Sequence, residues 1–188
     1  IPAPEKNPSV PTDVRSEFLT NRAMGDWAEH TLAESLRQVG GEDFRPIHYG
    51  DSESLSAGDA NFREKYLEGL EQTREFGKRP DLLIAPPKLE SPDDISRLSR
   101  EVADDVARKC IASIEVRSSK QQALKYMKVK EAESSKSGKS GLSFTVKVED
   151  LRIVYRWLEV CGIPQFYFQV FFDSIFVIDV LDIFKLIS

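Results

Sequence analysis

Cys110-Ile-Ala-Ser-Ile-Glu-Val-Arg-Ser-Ser119 is a β-type run, and by its period of two Glu115 and Arg117 share one side of the strand. Upstream, Arg79-Pro80-Asp81-Leu-Leu-Ile84 is a basic, turn-like lead into a short apolar run closed by Pro86-Pro87, the form of a brief strand that begins at Asp81. Downstream, Phe166 to Phe172 is a strongly apolar strand, Asp173-Ser174 turns the chain, and Ile175 to Val180 is its expected hairpin partner. Phe44 to Tyr49 and Leu142 to Val148 are two further strand candidates. Helical patterns lie between them. Val14 to Val39 carries Phe18, Gly25, Leu32 and Leu36 at helical spacing and is stopped by Gly40-Gly41. Phe62 to Phe76 is ended by Gly77, and Ser91 to Lys109 is an acidic helix opened by Ser91-Pro92-Asp93-Asp94. Lys120 to Glu133 is Lys-rich and helix-favouring, and Asp150 to Cys161 is amphipathic and ended by Gly162 and Pro164.

A length of 188 residues suffices for one core, so a single catalytic domain over 14–188 is expected behind a proline-rich arm over 1–13. The absence of an initiator Met and the apolar finish Ile183-Phe-Lys-Leu-Ile187 suggest a piece of a longer enzyme. Cys110 and Cys161 lack the paired spacings of zinc or disulfide frameworks and are expected to be buried free thiols. With no membrane-spanning run and no secretion-signal layout, a soluble, cytoplasmic protein is expected. Gly138-Lys139-Ser140 resembles the tail of a phosphate loop, but Glu133 stands where the first Gly is required, and a nucleotide loop is discarded. Net charge is −5, which argues against a general nucleic-acid binder. Its distribution reverses that inference: Arg108 to Lys147 holds ten Lys or Arg against Glu115, Glu131 and Glu133, a local +7 that leaves −12 elsewhere.

Three carboxylates stand out by position. Asp81 begins a strand, Glu115 lies in the next, and Glu29 falls on the apolar stripe of the first helix, where a carboxylate must be paired or bound to a cation. Hydrolysis of a phosphodiester needs a strong nucleophile and relief of charge on the phosphoryl oxygens, and Mg²⁺ held by one or two carboxylates meets both needs.

Pro80-Asp81 followed by Glu115-Val116-Arg117 resembles the PD-(D/E)XK nuclease superfamily. Arg22-Ala-Met-Gly-Asp-Trp-Ala-Glu29 is similar to the first helix of many such nucleases, and Glu115-Val-Arg-Ser-Ser119 with Ser143 to Asp150 looks like type II restriction enzymes. The likeness runs from about Arg22 to Val180. It implies an α/β fold with a mixed central β-sheet flanked by helices, and Mg²⁺-dependent cleavage of double-stranded DNA to 5′-phosphate and 3′-hydroxyl ends. It also implies metal at Asp81 and Glu115 with Glu29 in support, and a homodimer where the target is palindromic. The departure is Arg117, where the family usually has Lys. Guanidinium stays charged and can bind phosphate or orient water but is a poor base, so Lys147, on the neighbouring expected strand, is the candidate for the lysine role. Ser118, Ser119, Lys120, Lys125 and Lys128 are candidate DNA contacts. Trp27, Trp157, Tyr155 and the Phe166 to Phe172 cluster are read as core. The rival readings are a repair or junction-resolving nuclease of the same superfamily and a non-cleaving DNA-binding module.

Overall fold

A computed structural model describes residues 14–50, 62–132, 146 and 148–187. In chain order its elements are α1 (Val14–Gly40), β1 (Arg45–His48), α2 (Phe62–Phe76), β2 (Leu82–Ala85), α3 (Arg100–Ala107), β3 (Ala112–Ser118), α4 (Ala123–Ala132), α5 (Val148–Cys161), β4 (Gln165–Val170), β5 (Ile175–Asp179) and α6 (Val180–Ile187). The strands form one sheet in the order β1-β2-β3-β4-β5. Only β3 and β4 pair in parallel; the other three pairings are antiparallel, so the sheet is mixed and the fold is α/β. A parallel pair needs a long crossover, and here α4 and α5 lie within it.

β3 is central and covered on both faces, which is why its first five residues are buried without alternation. On one face Ala112, Ile114 and Val116 meet Leu82, Ile84 and the α1 residues Ala28, Leu32 and Ala33, whose spacing makes one helical stripe. On the other, Leu83 and Ala85 pack with Ile47, Tyr49, Ile95, Ala103 and Trp157, while Leu151 and Val154 of α5 cover Tyr167. Cys110 and Cys161 are buried free thiols. Among the described residues no helix is long and apolar enough to cross a membrane.

Four expectations change. Ser91 to Ser99 is not helical: His48 donates its N–H to the Asp93 carbonyl and Ile95 donates to the His48 carbonyl, both at 2.8 Å, so these groups serve β1 and the helix waits until Arg100. Val148 opens α5 where a strand end was expected; the remainder of that expected strand, Val146 apart, lies outside the described residues, as do the arm over 1–13 and Lys147. The expected hairpin strand Ile175 to Val180 stops at Asp179, and Val180 instead opens the helix Val180–Ile187, capped where Asp179 Oδ1 accepts the Leu181 N–H at 2.7 Å. Tyr155 is 41 % exposed and Phe172 50 % exposed, against the expectation that both are core.

A glycine turn joins α2 to α5. Gly77 has φ +82°, and a Cβ there would lie 2.3 Å from the Trp157 nitrogen and 2.4 Å from the Ile153 oxygen. The turn it makes is tied on both sides: Lys78 N–H donates to the Ile153 carbonyl at 3.1 Å, and Arg100 Nη2 donates to the Gly77 carbonyl at 2.8 Å.

Candidate active site

Leu82 pairs with Ile114 in the β2–β3 register, so one step further Asp81 falls opposite Glu115. Asp81 Oδ2 accepts the Val116 N–H at 2.6 Å, which fixes the carboxylate against β3. Its backbone carbonyl accepts from Tyr49 at 3.0 Å and from Gly50 at 3.2 Å, tying the start of β2 to the end of β1. Glu115 is 1 % exposed. Its Oε1 accepts from Lys78 Nζ at 2.5 Å and lies 3.5 Å from Arg117 Nη2. Its Oε2 is buried with no hydrogen-bond partner among the described residues. Lys78 Nζ is also 3.9 Å from Asp81 Oδ1, so one ammonium sits between the two carboxylates.

Arg117 reaches the same oxygen and also Asp150 Oδ2, at 3.2 Å, in the first turn of α5. Its guanidinium carbon stands 5.7 Å from the Tyr167 ring centroid. Burial, followed by the charge of Glu115, pushes the Tyr167 hydroxyl up to about 12, which keeps it a neutral wall.

The electrostatics show a deficit of positive charge. Burial and then the neighbouring Asp81 push Glu115 up to about 7, despite Lys78 and Arg117. Asp81 is raised as well, by burial first and by Glu29 next among the raising influences, against Lys78. Glu29 is raised by burial, Asp26 and Glu115, with Lys78 opposing. Lys78 is held above its ordinary value because Glu115 and Asp81 together outweigh the burial that pulls it down. It is therefore a fixed ammonium at neutral pH.

Of the residues singled out in the sequence, Asp81, Glu115 and Arg117 come together, and Glu29 is close enough to share their charge. Among the described residues no three His, Cys, Asp or Glu side chains form a metal-holding group, so the geometry offers a two-carboxylate site with Glu29 beside it. Ser118 ends β3, and Ser119 N–H donates to the Val170 carbonyl at 2.9 Å. Lys120, Lys125 and Lys128 are exposed on the segment leaving β3. Lys78 and Asp150 were not anticipated. Their only signals were a Gly77-Lys78 pair shortly before Pro80-Asp81 and an acid at the expected start of a helix.

The profile of the AccI restriction endonuclease family matches residues 2–140 and 121–188. The chain belongs to the AccI restriction endonuclease family. No curated protein and no solved structure matches it. Membership makes this chain a type II restriction endonuclease, an enzyme that cuts DNA. In this AccI-family chain Asp81, Glu115, Lys78 and Arg117 form a charge cluster where the start of β2 meets the middle of β3, with Glu115 buried and Lys78, Asp81 and Arg117 partly exposed.

The raised Glu115 acid has a measurable consequence. A folded-state value near 7 against an ordinary 4.5 means that the stabilisation is present below about pH 4.5 and is lost as pH rises through about 7. At about 1.4 kcal/mol per pKa unit the loss is on the order of 3 kcal/mol. Without added metal, Glu115→Gln is therefore expected to become progressively more stable than the parent protein as the pH of denaturant melts rises from 4.5 to 7.5. A stability difference that stays constant over that window would contradict the burial of a charged Glu115.

Proposed function

We propose that the chain cleaves double-stranded DNA at specific sites in a Mg²⁺-dependent reaction that leaves 5′-phosphate and 3′-hydroxyl ends, as the resemblance to PD-(D/E)XK nucleases implies. The observation that carries this reading is the fixed Asp81–Glu115 pair, facing each other across β2 and β3 with a buried carboxylate oxygen lacking any partner among the described residues. Two carboxylates are the number that a Mg²⁺ site takes from protein when substrate phosphate and water supply the remainder. Asp81 and Glu115 would hold the ion, with Glu29 adding negative charge behind them. When bound, Mg²⁺ supplies Lewis acidity, neutralising phosphoryl charge and acidifying water.

The chain's own cations do the rest. Arg117 is half-buried, braced by Asp150 and Tyr167, and so presents a pre-set donor fork to the scissile phosphate. Lys78, held against Glu115 and carried by the Gly77 turn, would donate a hydrogen bond to the attacking water and offset charge as the 3′-oxygen departs. Lys147 was the sequence's candidate for this task; the contact of Lys78 with both carboxylates favours Lys78. Lys120, Lys125 and Lys128 would contact phosphates along the duplex. A homodimer would present two such sites to a palindrome.

The test is digestion of plasmid DNA with Mg²⁺ and, separately, with EDTA. Discrete fragments bearing 5′-phosphates, formed only with Mg²⁺, are expected. Random degradation would instead point to a repair-type or nonspecific nuclease, and binding without cutting to a module that keeps the fold alone.

A further inference from the structure

The peptide that joins Gly77 to Lys78 is clamped on both edges. Its carbonyl accepts from Arg100 Nη2 at 2.8 Å, and its N–H donates to the Ile153 carbonyl of α5 at 3.1 Å. A peptide that follows glycine is unusually free to rotate, because no Cβ limits the torsions before it, and Gly77 stands at φ +82°. The two hydrogen bonds remove that freedom next to the residue whose ammonium reaches Glu115 Oε1 at 2.5 Å and Asp81 Oδ1 at 3.9 Å. On the α5 side the chain is pressed close, a Cβ on Gly77 falling 2.4 Å from the Ile153 oxygen; on the other side the clamp is one side chain, Arg100.

Arg100 is itself held in place. It is the first residue of α3, and its guanidinium carbon stands 5.1 Å from the centroid of the Phe76 ring at the end of α2. Its Nε lies 3.4 Å from Asp104 Oδ2, one turn further along α3, with the two side chains 14 % and 6 % exposed. Asp104 Oδ1 accepts the Tyr49 hydroxyl, and that hydroxyl accepts the Trp157 Nε1–H at 3.0 Å. Burial and then Asp104 hold the Tyr49 hydroxyl well above its ordinary pKa, so it remains a donor. Tyr49 N–H donates to the Asp81 carbonyl at 3.0 Å, and a continuous run of contacts therefore leads from Asp81 through Tyr49, Asp104 and Arg100 to Gly77 and Lys78. A buried ion pair is a poor device for stability alone, since apolar side chains of similar volume would join α2 to α3 without the cost of desolvation. What it supplies is geometry: a planar guanidinium that faces two acceptors at once is confined to one orientation.

We propose that Arg100 is a positioning residue for DNA cleavage: oriented by Asp104, it fixes the Gly77–Lys78 peptide and thereby sets where the Lys78 ammonium stands between Asp81 and Glu115. The proposal rests on the reading of Lys78 as a hydrogen-bond donor at the cutting site. Arg100 acts through Lys78 rather than on DNA, so its loss matters to the reaction only while Lys78 is there to be misplaced.

The experiment is a double-mutant cycle on the whole chain, read as the single-turnover cleavage rate at saturating DNA and Mg²⁺, well below the melting temperature of every variant. Arg100→Gln is expected to lower the rate about tenfold, and Arg100→Lys, which keeps a charge beside Asp104 but cannot span both acceptors, about fivefold. DNA affinity in Ca²⁺ should stay within about threefold of the parent's. In the Lys78→Met protein, itself about a hundredfold slower, each Arg100 substitution should cost less than about twofold more. A role in stability alone would lower the melting temperature and either leave the rate of the folded protein unchanged or cost the same factor in both backgrounds. Either result overturns the proposal and leaves the reading of Lys78 standing. Arg100→Lys decides the question should Arg100→Gln not fold. Lys78→Met cutting at the parent's rate would remove Lys78 from the site and the proposal with it.

Discussion

Asp81→Asn and Glu115→Gln are each expected to lower the rate of DNA cleavage at saturating DNA and Mg²⁺ by about a thousandfold or more. Both substitutions keep the shape of the side chain, so the loss reads the charge. Asn at position 81 retains an oxygen that can accept the Val116 N–H, which preserves the 2.6 Å tie to β3 while removing a metal-holding anion. Gln at position 115 replaces an oxygen that now receives Lys78 at 2.5 Å and faces Arg117 at 3.5 Å. DNA affinity should be unchanged or higher, because each change removes a negative charge close to where a phosphate would bind. Single-turnover cleavage with binding measured in parallel separates the two effects. Mg²⁺-dependent cutting by either variant within about tenfold of the parent would remove that residue from the metal site.

Gly77→Ala should produce the largest loss of stability. The positive φ costs an alanine about 1 kcal/mol or more, and the added Cβ meets backbone atoms of Ile153 and Trp157, which cannot rotate aside. A combined cost of about 3 kcal/mol corresponds to a fall in Tm of roughly 6–12 °C for a chain of this size. The same change shifts the turn that presents Lys78, so cleavage should fall further than the loss of folded protein explains. Lys78→Met isolates that second effect: cleavage is expected to drop about a hundredfold with the backbone turn intact, and Lys147→Met should lose less. A Gly77→Ala protein melting within about 2 °C of the parent would show that α2 and α5 do not meet this closely.

What was legible in the sequence was whatever a local pattern encodes. The β-type run around Glu115 and Arg117, the Pro-flanked strand after Asp81 and the apolar stripe of α1 each announce themselves by periodicity, and each stands within a residue or two of its expected place. Ser91 to Ser99 misled because an acidic opening resembles a helix start. There Asp94 Oδ1 accepts the Ser96 N–H at 2.9 Å, a local turn that competes with helix, and the neighbouring backbone groups bond to His48. Asp179 was a cap signal in plain view, hidden by the apolar, strand-like residues on either side of it. Lys78 was illegible for a different reason. Its ammonium meets Glu115 across 37 positions of chain, and only the Gly77 turn against α5 creates that meeting.

The most direct measurement is a crystal structure of the chain with duplex DNA and Ca²⁺, an ion that fills such sites while slowing the cut. Ca²⁺ is expected to be bound by oxygens of both Asp81 and Glu115 at about 2.3–2.6 Å, with Arg117 facing the scissile phosphate and Lys78 Nζ drawn off Glu115 toward the water or phosphate. Ca²⁺ bound elsewhere, with Lys78 still seated between Asp81 and Glu115 while DNA occupies the protein, would contradict the assignment of these two carboxylates as the metal site.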